Sequence, residues 1–187
     1  MKKFVFSILL FTLLSNTFAA HIKGGFITYK YIGPGAAANT LRYKITLTVY
    51  MVCNPSAGQL TNPINITVFS GNGPTIYENV SASITNQYNL GKVYDEPCIT
   101  DDQRGCYYTI VVYEMNNYDL PISANGYTIS YQRCCRINDM DNVQNSGQVG
   151  NTYTTKIPGT SSLIPDANKN SSPDFAVNDT AVICGGS

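Results

Sequence analysis

The chain has 187 residues; 13% are charged, and its 12 basic and 12 acidic side chains cancel. Lys and Arg are scattered singly, so the basic stripe that nucleic-acid binding needs is missing. Fourteen tyrosines, fifteen glycines and no tryptophan, with little charge, give the Tyr-, Thr-, Asn- and Gly-rich composition of an extracellular β protein.

Residues 1–19 predict a secretory signal. Lys2 and Lys3 make a positive start, and the apolar run 4–14 is too short to span a ~30 Å hydrocarbon core. Small Thr17 and Ala19 favour cleavage after Ala19. Residues 20–187 are then expected to form one domain, with ten basic residues against twelve acidic ones and a net charge of about −2. No transmembrane span is expected after the signal peptide.

Gly24-Gly25 leads into a strand over 26–31. A Gly33-Pro34-Gly35 turn joins it to an antiparallel strand over 41–52. There Leu41, Tyr43, Ile45, Leu47, Val49 and Met51 share one face, and Arg42, Lys44, Thr46, Thr48 and Tyr50 the other. A third strand covers 64–70. Residues 76–90, diluted by Asn79, Asn86 and Asn89, read as one or two short strands. A loop over 91–105 carries Asp95, Glu96, Asp101 and Asp102. Residues 106–115 are apolar on both faces, which predicts a central strand or a partner surface. A turn over 116–125 precedes an alternating strand, Tyr127-Thr128-Ile129-Ser130-Tyr131, that runs on to Cys134-Cys135. Loops over 138–150 and 158–173 flank a strand at 152–157, and one or two strands are expected in 175–184. Helical periodicity is absent after the signal. The pattern predicts an all-β, disulfide-stapled antiparallel β-sandwich, immunoglobulin-like or jelly-roll-like.

Six cysteines in an exported chain predict disulfides. A zinc site would lack any Cys-x-x-Cys pair and would have one histidine, His21, to draw on. Parity suggests partners. Cys53 shares the apolar face of Leu41 to Met51, and Cys135 that of Tyr127, Ile129 and Tyr131, so the two could meet between sheets. Cys134 points the other way and is assigned to Cys184. Cys98 and Cys106 would staple the acidic loop to its strand. Exchange of Cys134 and Cys135 is one alternative; a bond between them, which needs a distorted peptide unit, is another.

Several stretches carry a resemblance: His21-Ile22-Lys23-Gly24-Gly25-Phe26, Tyr43-Lys44-Ile45-Thr46-Leu47, the strand ending Arg133-Cys134-Cys135-Arg136, and Asn170-Ser171-Ser172-Pro173-Asp174-Phe175. In this order they resemble the N-terminal module of large secreted surface proteins of Bacteroidetes, the gliding-motility-associated, type IX secretion kind with immunoglobulin-like repeats. Met51-Val52 stands where such modules have Arg-Asp before the first cysteine. The resemblance implies an adhesin-like, non-enzymatic surface role, with other domains of a longer surface protein as partners.

Candidate sites are few. Asp166, Asn168 and Asn170, with Asp174 beyond, have the D-x-N-x-N spacing of a calcium loop, but Ser171 replaces the usual Gly and position twelve lacks Glu. No other cofactor is expected. Tyr50, Tyr107 and Tyr113 could form an aromatic platform for glycans, against the alternative of ordinary cross-strand packing. Asp95, Glu96, Asp101 and Asp102 could supply paired carboxylates for a secreted hydrolase, but loop acids are ordinarily solvated. The expectation is a non-catalytic structural or adhesion module, with carbohydrate binding as the alternative.

Overall fold

The computed structural model describes residues 22–53, 55, 60–91, 106–138, 140 and 142–174. They form seven strands: β1 (Ile22–Pro34), β2 (Thr40–Met51), β3 (Ile64–Ser70), β4 (Ile76–Gly91), β5 (Cys106–Pro121), β6 (Tyr127–Arg133) and β7 (Asn151–Ile157). The hydrogen-bonded order is β1-β2-β5-β4-β3-β6-β7, and every pairing is antiparallel. Among the described residues the helical elements are two three-residue 3-10 turns. The expected signal peptide, His21, the acidic stretch 91–105 beyond Gly91, Cys98, Cys184 and the expected strands in 175–184 lie outside the described residues.

β4 explains how one ladder makes two layers. Its first half, through Ala82, pairs with β3; from Ser83 onward it pairs with β5. Ala82 is 1% exposed at the switch, where a small side chain suits the close approach of two sheets. Just past it, the Ile84 N–H donates to Asn62 Oδ1 at 3.0 Å. The layers are thus β1-β2-β5-β4 and β4-β3-β6-β7. Apart from the shared β4, this is the strand order of the immunoglobulin constant-type sandwich. A second hallmark accompanies it. Tyr127, at the start of β6, donates its hydroxyl to the Pro121 carbonyl at 2.9 Å, bracing the β5–β6 corner in the manner of a tyrosine corner.

The core follows from β2. Its six alternate apolar residues, Leu41 to Met51, are all at most 5% exposed. They pack with Ile64, Ile66 and Val68 of β3, Tyr127, Ile129 and Tyr131 of β6, and Ile157 of β7. β5 is the central strand its two apolar faces predicted, between β2 and β4. It runs six residues past the expected end at Met115, because Tyr118 to Pro121 stay in register with Tyr43 to Thr40. Residues 76–90 form one continuous strand; the asparagines that suggested a break fall on exposed positions.

The disulfides correct the parity assignment. Cys53 bonds Cys106, with Cα atoms 5.8 Å apart, and Cys134 bonds Cys135 across a cis peptide. The expected Cys53–Cys135, Cys98–Cys106 and Cys134–Cys184 pairs are therefore not formed. Parity separated the two adjacent cysteines, since Cys135 is buried and Cys134 exposed. It could not identify neighbours. β2 and β5 are antiparallel partners with Met51 opposite Thr109, so Cys53 and Cys106 leave the ladder side by side.

Residues 158–174 act as a strap. Thr160 N–H donates to the Ser123 carbonyl, and the Asn168 carbonyl accepts the Tyr43 hydroxyl at 2.7 Å. The strap then reaches the open edge of β1. Ser171 Oγ accepts from Tyr31 N–H and Ser172 Oγ from Tyr29 N–H, both at 3.0 Å, while Ser172 N–H donates to the Tyr29 carbonyl at 2.8 Å. Side-chain hydroxyls thus stand in for a neighbouring strand and protect an edge that would otherwise invite pairing.

Candidate functional site

The outer face of β1-β2-β5-β4 carries the side chains that the core does not use. The register sets them in rows. Tyr50 stands opposite Gly24 on β1 and Ile110 on β5, and Ile110 opposite Tyr88 on β4. The next row is Phe26, Thr48 and Val112; then come Thr28, Thr46 and Glu114; Lys30 and Lys44 follow, and beyond them Arg42 opposite Asp119. Along the strands the face therefore grades from aromatic to hydroxylic to charged.

The aromatic rows form a connected group. Phe26 and Tyr50 lie 6.2 Å apart at 43°, and Tyr50 and Tyr108 meet edge-on at 5.7 Å. Lys23 Nζ sits 4.7 Å over the Tyr108 ring. Such contacts hold the rings in fixed attitudes. Phe26 is 41% and Tyr88 42% exposed, so this is a patch rather than scattered apolar residues.

Beside it, where the strap crosses β1, lies a depression of about 310 Å³ lined by Thr28, Lys30, Lys44, Thr46, Ser172 and Asp174. Lys44 Nζ is 2.6 Å from Glu114 Oε1. A larger hollow of about 580 Å³ lies in the β6–β7 connection, lined by the amides of Asn138, Asn145 and Gln148 with Met140 and Val143.

The expected tyrosine platform is redrawn by this geometry. Tyr113 faces inward, is 2% exposed and donates its hydroxyl to the Thr61 carbonyl at 3.0 Å; burial pushes its pKa up to about 12. It is a core residue. Tyr50 is on the outer face, and the side chain of Tyr107 lies outside the described part. Phe26 and Tyr108, which the sequence reading did not single out, are the rings that meet Tyr50, and Tyr88 ends the same row beyond Ile110. The signal was available as alternation, but only the strand register shows which alternating sets share a face.

The calcium loop is also redrawn. Asp166 pairs with Lys169 at 2.7 Å, and Asn170 Oδ1 accepts from Ser171 N–H at 2.8 Å. Asn168 is buried, and its carbonyl takes the Tyr43 hydroxyl. Asp174 lies at the β1 depression instead. Of the loop's oxygens, Asp166 Oδ1 holds Lys169 and the Asn168 carbonyl holds the Tyr43 hydroxyl. Among the described residues no group of three or more His, Cys, Asp or Glu side chains is placed to hold a metal.

Electrostatics elsewhere serve the fold. Arg42 makes a bidentate pair with Asp119 at 2.7 and 2.9 Å, and Ala36 N–H adds a third bond at 2.7 Å. The guanidinium first, then the amide, lower the Asp119 pKa to about 2. Burial raises Tyr118, and its hydrogen bond to Glu78 at 2.9 Å adds to the effect. No helix of the described residues is long and apolar enough to cross a membrane. No protein-family model matches the chain, and no curated protein or solved structure matches it.

Proposed function

We propose that the chain is a non-catalytic structural or adhesion module of an exported surface protein, of the Bacteroidetes kind its sequence resembles, and that it works by contact. The observation that carries this reading is the outer face of β1-β2-β5-β4, where fixed, half-exposed rings form a patch on a sheet that the Cys53–Cys106 disulfide and the strap hold in shape. Disulfides suit an oxidising compartment outside the cytosol. Contiguous apolar patches on such scaffolds are where partners sit. The test is retention of the purified, oxidised protein on intact cells and on insoluble glycans. Phe26→Ala with Tyr88→Ala should lower retention at least tenfold while the thermal midpoint holds. Failure of the unaltered protein to bind any of these surfaces would sink the reading.

A carbohydrate-binding module is the second reading. Exposed rings graded into hydroxyls favour it, because sugars offer apolar ring faces and polar rims together. A glycan array with Phe26→Ala and Tyr108→Ala as comparisons tests it; equal signals for all three proteins would remove it.

A further inference from the structure

Lys30 and Lys44 face each other directly across the β1–β2 ladder. Like charges in that position repel, and a sheet gains nothing by it. One of the two is answered: Lys44 holds Glu114 at 2.6 Å. Lys30 is exposed, and no ion pair with another described residue engages it. It borders the depression with the hydroxyls of Thr28, Thr46 and Ser172. Ser172 Oγ already accepts from β1, so its own hydrogen is what it has left to donate. The depression therefore presents a cation and a hydroxyl hydrogen at the end of an aromatic row.

We propose that this outer face binds an anionic polysaccharide, with the sugar rings on Phe26, Tyr50 and Tyr108 and an acidic substituent in the depression against Lys30. The inference rests on the carbohydrate reading above and names its ligand class. Four residues along β1 separate Phe26 from Lys30, roughly 13 Å at strand rise, which suits a short stretch of polymer better than a single ring. Asp174 also lines the depression, and Glu114 stands next to it, opposite Thr46 and paired with Lys44. They repel an acid there and so direct it to Lys30. The ligand's acidic group is a carboxylate or a sulfate; both present the same oxygens to an ammonium.

The experiment is affinity electrophoresis of the oxidised full chain through gels containing polygalacturonate, dextran sulfate or a neutral β-glucan, at low and high salt. Retention by either acidic polymer, weakening as salt rises, is expected, and the ratio of the two assigns carboxylate or sulfate. Lys30→Gln should lower affinity for the acidic polymer about tenfold, the size of one charge-assisted hydrogen bond. Phe26→Ala should lower it comparably, and Lys156→Gln, exposed on β7, should not change it. Retention by the neutral glucan alone, or an equal loss on both polymer classes with Lys30→Gln, would overturn the acidic assignment and leave the carbohydrate reading standing. No retention by any polymer would overturn both. If the unaltered chain sedimented as an oligomer and Phe26→Ala as a monomer, the face would be an interface between copies and the proposal would fall.

Discussion

The two ends of the sandwich are closed by different means. At one end the connections are short. Gly35 N–H donates to the Thr40 carbonyl at 2.9 Å, Gly71 N–H to Gly126 at 2.8 Å and Ile122 N–H to Asn39 at 2.9 Å. The Arg42–Asp119 pair and the Tyr127 corner finish it. The opposite end contains all four described cysteines, where β2, β5 and β6 meet the longer connections to β3, from β4 and to β7. Loop-closure entropy grows with length, so short turns can be secured by main-chain hydrogen bonds while long ones gain from covalent closure. Cys53–Cys106 is the long closure of this kind; Cys134–Cys135 joins neighbours and closes no such loop.

The comparison can be broken most directly at the cysteines. Cys53→Ala with Cys106→Ala opens a link across 53 residues and should cost roughly 4 kcal/mol in urea unfolding. Cys134→Ala with Cys135→Ala opens a link between sequence neighbours and should cost roughly 1 kcal/mol by the same reasoning. Equal losses would show that loop length does not govern that end.

At the turn end the largest single effect is expected at Gly126. It has φ 67°, and a Cβ there would collide with the backbone of Ile157 and Gly159. Gly126→Ala should therefore cost at least about 2 kcal/mol, read from the urea midpoint. A loss near zero would mean that this turn is looser than its hydrogen bonds indicate.

The strap should yield about 1 kcal/mol for each serine. Ser171→Ala and Ser172→Ala should also speed hydrogen exchange at Tyr31 and Tyr29 respectively, one amide per substitution. Unchanged exchange at those amides would remove the strap's role as an edge cover.

The mildest test uses pH. Asp119 has a folded pKa of about 2, below its ordinary value of 3.8. The unfolded chain thus takes up that proton first. The stability it contributes is complete above about pH 4 and is lost as pH falls toward 2. Asp119→Asn should flatten the acid limb of the unfolding curve in that window, and an unaltered limb would show that the pair contributes little.

Much of the scaffold was legible as alternation. β2 was readable because six inward residues repeat without interruption, and β3 because Ile64, Ile66 and Val68 do the same between clear turns. What escaped needed pairing information. Parity places Cys53 on a face but does not say that β5 lies beside β2. It likewise left Tyr113 on a platform that only the register dissolves. β4 looked broken because a strand serving two sheets buries little along its length: Ala82 is its one fully buried residue. In the strap the sequence offered only Asp and Asn spacing; the residues that cover the β1 edge, Ser171 and Ser172, act through hydroxyls on a strand some 140 residues earlier.

That separation has a consequence in time. A chain made from its N-terminus completes β1 and β2 early, yet the cover for β1's edge arrives only when Ser171 and Ser172 have emerged. Through most of synthesis the first strand has an open flank, and the last closure spans nearly the whole chain, the kind of distant contact that slows folding. A polypeptide threaded through a membrane in this order would need its first strand shielded until its strap is through.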